Sequence, residues 1–430
     1  MKRFNPYHIL ACLLLFPLIV LVFTDIRFFE PDEWTYYFTA KNFANHDFSI
    51  THQQYKQQKT FALKHARKYN KHHFTQYRLR EDGRYISEKP AGYPLVVCLL
   101  QALGLEKLPN LLLYAAAVLA LYLLPDNLFI RRERLCMAVL LAVCPLVLIS
   151  LSRFYMADFF AFALTAVGVS FVLNSVYRAP SRWSWPFAAL AGACLAYSGF
   201  CRITNYAFLP VTGVFLLLHL WHKRSRRVVF LLLAFCLGAG VVLLVNALYN
   251  QLVLGGLLLT PYRVGAMALK IPQHCFAFQY LYAGKPQYPL LIIGRNLVKM
   301  PQILLLAMPA GIFLLPGLAR ALRMKRPRLL LYLLLLLAAV FGLFLQFYRV
   351  STTCYLWNAR PYLQGFLPIA MIGGLFFSDL NRRKTILLLL VMVLLGYALF
   401  FTFLYDNHQD PFGLGIAPIW NIKRYSRLTK

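Results

Sequence analysis

Hydrophobic residues in this chain gather in long runs instead of falling at helical or alternating intervals. The runs cover roughly 8–23, 91–104, 109–130, 135–150, 158–177, 186–201, 205–221, 228–249, 300–322, 329–347, 362–378 and 385–404. Most reach about 16 to 22 residues, close to the length an α-helix needs to cross the hydrocarbon core of a bilayer. The pattern predicts an all-α polytopic membrane protein and excludes a soluble domain. The run at 91–104 is the shortest, about 14 residues, and suits an interfacial or re-entrant helix. The first run follows Met1-Lys2-Arg3 and is not followed by a small-residue cleavage site, so it reads as an uncleaved span.

Charge fixes how the runs are threaded. The chain carries 45 Lys and Arg against 15 Asp and Glu, a net charge of +30. Five short basic loops stand between runs: Arg131 to Arg134, Arg178 to Arg182, Lys223 to Arg227, Arg323 to Arg328, and Arg382 to Lys384. Cytoplasmic loops are enriched in Lys and Arg. If every run crossed, all five loops would lie outside. Treating 91–104 as interfacial places all five inside. The expectation is one membrane domain over 1–430 with about eleven spans, its N-terminus inside and its tail from Tyr405 (405–430) outside. The charge clusters reflect topology and not nucleic-acid binding.

The long loop 24–90 then faces outward and is expected to carry interfacial helices. It is itself basic, with Lys56, Lys59, Lys64, Arg67, Lys68, Lys71, Arg78 and Arg80. Three readings stay open for these side chains: a solvated surface, attraction to anionic headgroups, or recruitment of an anionic substrate. Aromatic residues near run ends (Trp34, Tyr36, Tyr37, Trp357, Trp420) suit an interfacial belt, and some suit stacking on sugar rings. Composition agrees: 60% of residues are hydrophobic, 16% aromatic and 14% charged. The nine cysteines fall mostly inside apolar runs. Cys275 and Cys354 fall in expected outer loops, where pairing is one option. No internal repeat and no metal-spaced Cys/His cluster occurs, and His52, His72, His73 and His274 read as surface polar residues.

Candidate chemistry collects on the expected outer edge. Asp32 and Glu33 stand side by side after the first span. Lys89 lies in Ser87-Glu88-Lys89-Pro90, before the short run. Asp158 opens the fourth span in Met156-Ala157-Asp158. Arg202, Arg263, Arg349 and Arg360 mark other outer segments. Ionisable groups at a membrane edge are costly and face protein or water, so each is a site candidate. Arg forks grip phosphate oxygens, Lys binds them as a point charge, and a carboxylate beside them is an available base. Each also has a plainer reading: Asp32, Glu33 and Asp158 as helix-start residues, the cations as headgroup anchors.

The order of these features resembles a known family. An acidic pair follows span one, then Lys89-Pro90-Ala91-Gly92-Tyr93-Pro94 precedes a short helix. Met156-Ala157-Asp158 opens the fourth span, and Arg360-Pro361-Tyr362-Leu363 comes late. The chain resembles the GT-C polyprenyl-phosphate-sugar-dependent membrane glycosyltransferases, the superfamily of protein O-mannosyltransferases and aminoarabinose transferases. The likeness is ordered over about residues 5 to 180 and looser beyond. It implies Asp32 as general base, Glu33 as its support or acceptor ligand, and Asp158 as a second site acid. It implies Lys89 at the lipid phosphate. Arg202, Arg263, Arg349 and Arg360, from their place on the outer edge, and Tyr93 of the Lys89-Pro90 segment are the further candidate substrate contacts.

The expected function is inverting transfer of a hexosyl or pentosyl unit from a polyprenyl-phosphate donor to an acceptor hydroxyl outside the cytoplasm. The acceptor is a lipid, a glycan or a protein. Membrane lipids are partners and nucleic acid is not. No cofactor is required by the sequence, and a divalent metal is allowed but unsupported. The alternative is a transporter or flippase for a polyprenyl-linked or other anionic substrate. That reading calls for ionisable groups or broken helices near mid-membrane. An oligosaccharide polymerase or ligase, and a non-catalytic assembly subunit, also remain.

Overall fold

A computed structural model of the chain describes residues 15, 17–22, 31–65, 76–101, 103–178, 181–223, 225–261, 290–291, 293–294, 296–298, 307–324, 326–345 and 356–408. Arg263, Arg349, Cys275, Cys354, His72, His73, His274, most of the 8–23 run and the tail beyond 408 lie outside them.

The described chain is almost wholly helical. In order, the elements are α1 (Pro31–Ala44), α2 (His52–His65), strands β1 (Tyr77–Leu79) and β2 (Tyr85–Ser87), α3 (Gly92–Gln101) and α4 (Leu108–Tyr122). Then come α5 (Arg131–Ala142), α6 (Pro145–Leu151), α7 (Ala157–Tyr177), α8 (Ser184–Cys201), α9 (Phe208–Lys223) and α10 (Arg226–Leu254). After 307 come α11 (Leu314–Arg323), α12 (Pro327–Leu345), α13 (Phe366–Phe376) and α14 (Arg382–His408). Short 3₁₀ turns at Ile203–Ala207, Pro309–Phe313 and Leu356–Gly365 lead into α9, α11 and α13.

Among the described residues, four helices are long and apolar enough to cross a membrane unaided: Ala157–Tyr177, Ile203–His222, Arg226–Leu254 and Arg382–Phe401. The expected span at 135–150 is broken. α5 and α6 meet at 54°, because Pro145 lacks an N–H and its ring excludes the carbonyl four residues earlier. The run at 91–104 folds as the ten-residue α3, too short for a crossing. The run at 362–378 begins as a 3₁₀ turn and continues as α13, whose residues from Phe366 to Leu375 are all buried.

The core lies where α4 to α8 and α13 meet. Phe159, Phe162, Tyr114 and Phe366 are each 0% exposed there. α8 and α10 cross closely because Gly192 faces the Phe235 carbonyl and Gly238 faces the Ala189 carbonyl, where a Cβ would strike backbone. Small residues at a helix crossing permit such approach in lipid.

The loop 24–90 differs from the expectation of helices alone. β1 and β2 pair antiparallel, Tyr77 opposite Ser87 and Leu79 opposite Tyr85. Gly83, at φ 75°, turns the chain between them. Each strand is only three residues, so its alternation is too short to stand out in sequence. The hairpin folds back onto α1: Thr35 Oγ1 accepts from the Gln76 N–H at 2.8 Å, and Tyr77 Oη meets Thr39 Oγ1 at 3.2 Å and Asn42 Nδ2 at 3.0 Å. Burial pushes the Tyr77 phenol up, against the lowering effect of those two hydrogen bonds.

The helices run between two unlike ends. The basic loops meet at one. Arg178 donates to the Leu123 carbonyl, Arg227 to the Ser175 carbonyl, and Arg132 to the Leu380 carbonyl. The start of α7, the end of α8, the turn before Asp158 and the 356–365 segment lie at the other. This separation is what the positive-inside pattern anticipates for two faces of a membrane.

Candidate active site

α1 opens the site. Its first turn carries Asp32 and Glu33, a favourable place for carboxylates because the helix dipole is positive there. Their side chains then diverge. The Asp32 side chain is 13% exposed, and both its oxygens face cations: Lys89 Nζ at 3.1 Å on Oδ1 and Arg360 Nη2 at 3.2 Å on Oδ2. Glu33 is turned inward, its side chain 1% exposed, and holds Arg153 in a two-pronged pair at 2.5 and 2.7 Å.

Each partner is set by a different element. Lys89 follows β2, where its N–H donates to Ser87 Oγ at 3.1 Å. Its neighbour Glu88 takes Arg78 of β1 at 2.6 Å, tying the hairpin to the Lys89 segment. Just beyond, Gly92 lies so close to the Phe200–Cys201 backbone that a Cβ would collide with it. Tyr197 Oη donates to the Gly92 carbonyl at 2.9 Å. The Lys89 segment therefore packs on the end of α8, the same end that carries Arg202.

Arg202 caps α8 in extended conformation and pairs with Asp158 in the first turn of α7. Arg153 sits in the short turn between α6 and α7, five residues before Asp158. Arg360 arrives from the 356–365 segment, which also packs on α6 and α7. Seven charged side chains from six separate parts of the chain thus form four ion pairs around one end of the bundle.

The structure brings together Asp32, Glu33, Lys89, Asp158, Arg202 and Arg360 from the sequence candidates. Tyr93 stands differently. It is 0% exposed, its hydroxyl donates to the Phe154 carbonyl, and its ring meets Tyr36 at 5.9 Å and Phe160 at 5.2 Å. It joins α1, α3 and α7 as a packing residue, with its polar tip already used. Sequence reasoning passed over Arg153. Its signal was present: a buried Glu33 needs a partner, and Arg153 is the cation nearest to Asp158 in the chain.

An aromatic wall borders the acidic pair. Tyr37 packs edge-on to Tyr155 at 5.2 Å and Trp34 stacks on Phe38 at 5.9 Å. Burial, with the nearby Glu106 carboxylate second, pushes the Tyr37 hydroxyl up, so it stays a neutral hydrogen-bonding group. Among the described residues, no three His, Cys, Asp or Glu side chains are grouped as a metal site would require.

The arrangement can bind an anion and move a proton. Lys89 and Arg360 put two positive charges against the single carboxylate of Asp32. A phosphate entering there would meet one bidentate-capable guanidinium and one ammonium.

Comparison with known proteins gives the fold. No protein-family profile and no curated protein matches the sequence. Solved structures do. The apo oligosaccharyltransferase of Archaeoglobus fulgidus is similar at TM-score 0.59 and 13% identity, over 99% of this chain and 60% of that one. ArnT from Cupriavidus metallidurans, bound to undecaprenyl phosphate, is similar at 0.58 and 16%, over 89% of this chain and 62% of that one. The archaeal oligosaccharyltransferase AglB from Archaeoglobus fulgidus, with an inhibitory peptide and a dolichol-phosphate, is similar at 0.54 and 14%, over 100% and 58%. This chain spans less than two thirds of the length of each. With its helical bundle and its acidic pair at the start of α1, the chain has the fold of the GT-C membrane glycosyltransferases that its sequence resembles.

Proposed function

We propose that the protein transfers a sugar from a polyprenyl-phosphate donor to an acceptor hydroxyl at the outer face of the membrane. The observation that carries this is the convergence of Lys89 and Arg360 on Asp32. It supplies a phosphate cradle and a carboxylate base in one place. The fold likeness supports the same reading, since ArnT is bound to undecaprenyl phosphate and AglB to a dolichol-phosphate.

The step follows from these groups. The donor phosphate competes with Asp32 for Lys89 and Arg360, and its arrival frees the carboxylate. Asp32 then takes the proton of the acceptor hydroxyl. The acceptor oxygen bonds to the anomeric carbon as the bond from that carbon to the phosphate oxygen breaks. The electron pair leaves with the polyprenyl phosphate, whose added negative charge Lys89 and Arg360 hold. One displacement inverts the anomeric centre. Positioning and charge stabilisation provide most of the rate in such a scheme. Glu33 with Arg153 fixes the start of α1 and so aims Asp32. Asp158 with Arg202 forms the far wall, and Arg263 and Arg349 are proposed as further donor contacts.

The site faces outward because the basic loops occupy the opposite end. The test is release of polyprenyl phosphate by the reconstituted protein supplied with polyprenyl-phosphate-linked sugars and extracted acceptors. Wild type should release it and Asp32→Asn should not. Equal release by both would overturn the assignment.

A further inference from the structure

From Phe159 to Ser378 the chain contains no Asp or Glu. This has a physical consequence at the basic end of the bundle. Arg178, Arg182, Arg226 and Arg227 gather there around the starts of α8 and α10. The acids on neighbouring loops are engaged elsewhere. Asp126 pairs with Arg134, Glu133 accepts from the Ile130 N–H at 3.0 Å, and Asp379 pairs with Arg320 at 3.1 Å. Arg227 is held by neutral acceptors: its Nη2 donates to the Ser175 carbonyl at 2.9 Å, the Arg178 carbonyl at 3.0 Å and Ser184 Oγ at 3.4 Å. Arg178 likewise donates to the Leu123 carbonyl. Carbonyls orient these guanidinium groups, and among the described residues no carboxylate pairs with them.

The same place holds a groove of about 510 Å³ between α8 and α10. Its mouth is polar, formed by Ser181, Ser184 and Arg227, and its wall is apolar, with Trp185, Phe230, Leu233 and Leu237. Those four apolar side chains are 59–69% exposed (Trp185 61%, Phe230 65%, Leu233 59%, Leu237 69%), so nothing within the described protein covers them. The wall is lipid-facing in a membrane-spanning bundle. A second groove on the other flank of α10 repeats the pattern, with Arg226 and Ser225 at its head and Trp221 and Val229 along it. A cationic mouth above an apolar channel has the polarity of an anionic amphiphile.

We propose that the α8–α10 groove binds an anionic diacyl phospholipid, its phosphate at Ser181, Ser184 and Arg227 and one acyl chain along Phe230, Leu233 and Leu237. The phosphate supplies the counter-charge that 220 acid-free residues withhold. The site lies at the opposite end from Asp32. The proposal rests on the membrane fold and not on sugar transfer, so either can fail without the other.

Native mass spectrometry of the full chain tests it. The protein is released from detergent after equilibration with equal phosphatidylglycerol and phosphatidylcholine. Wild type should retain phosphatidylglycerol over phosphatidylcholine by about fivefold, as expected for one basic side chain at a lipid surface. Leu237→Trp, which fills the channel and leaves every charge in place, should remove that preference, as should Arg227→Gln. Equal retention of the two lipids would overturn the site. So would a preference unchanged in Leu237→Trp, or displacement of phosphatidylglycerol by inorganic phosphate alone. Displacement by an equal concentration of polyprenyl phosphate would also overturn it, by making the groove a site for the single-chain carrier.

Discussion

Charge at single positions is the finest scale on which this protein can be tested. Lys89 and Arg360 each face one oxygen of Asp32. A charge-assisted hydrogen bond contributes about 1.5–3 kcal/mol, so Lys89→Ala or Arg360→Ala should weaken polyprenyl phosphate binding roughly tenfold or more. Isothermal titration with detergent-solubilised protein reads this. Glu33 and Arg153 behave differently, because both are buried. Removing one partner strands a charge and costs about 3–5 kcal/mol, whereas replacing both with apolar groups is close to neutral. Thermal unfolding should therefore show Glu33→Met and Arg153→Met each strongly destabilised and the double variant largely recovered. Asp32 was legible in the sequence because acids are rare in this chain and two adjoin. The division of labour within the pair was not. Neighbours in the first turn of a helix point about 100° apart, and only the fold decides which meets Arg153.

Elements explain how the site is held. α1 is anchored from one side by the hairpin, through Thr35, Thr39 and Asn42 to Gln76 and Tyr77. The Tyr77 phenol titrates above its ordinary value because it is buried. Its folded value is raised, so its contribution is complete below about pH 10 and declines as the pH rises beyond the ordinary tyrosine value. Tyr77→Phe should flatten the alkaline limb of stability above that pH, measured by chemical denaturation. The α8–α10 crossing is the other fixed point. Gly192→Val places a side chain against the Phe235 carbonyl and should cost roughly 1–3 kcal/mol, the usual penalty of overpacking. The apolar runs located these helices well, since run length alone marks a span. The hairpin and the α5–α6 break escaped that reading. Three-residue strands carry no usable period, and Pro145 acts through local geometry without changing hydrophobicity.

For the whole molecule, charge was the informative variable. The basic loops proposed for one face do meet at one end of the bundle, and the seven paired site residues gather at the other. The sequence anticipated that division because lipid forbids lone charges within the hydrocarbon and leaves them to the edges. It did not anticipate which cations would reach Asp32. Lys89 lies 57 positions from Asp32 and Arg360 lies 328 away, and such long-range pairing is set by packing alone. Both cations are shared between Asp32 and the donor phosphate, so the central claim is that this carboxylate lies in the phosphate cradle and is the base. Affinity for polyprenyl phosphate and turnover of a polyprenyl-phosphate sugar, measured together in Asp32→Asn, test it most directly. Loss of the carboxylate removes the competitor for Lys89 and Arg360, so binding should stay as tight or tighten. Turnover should fall by about 100-fold or more, the contribution of a general base. Weakened binding with turnover intact would contradict the account.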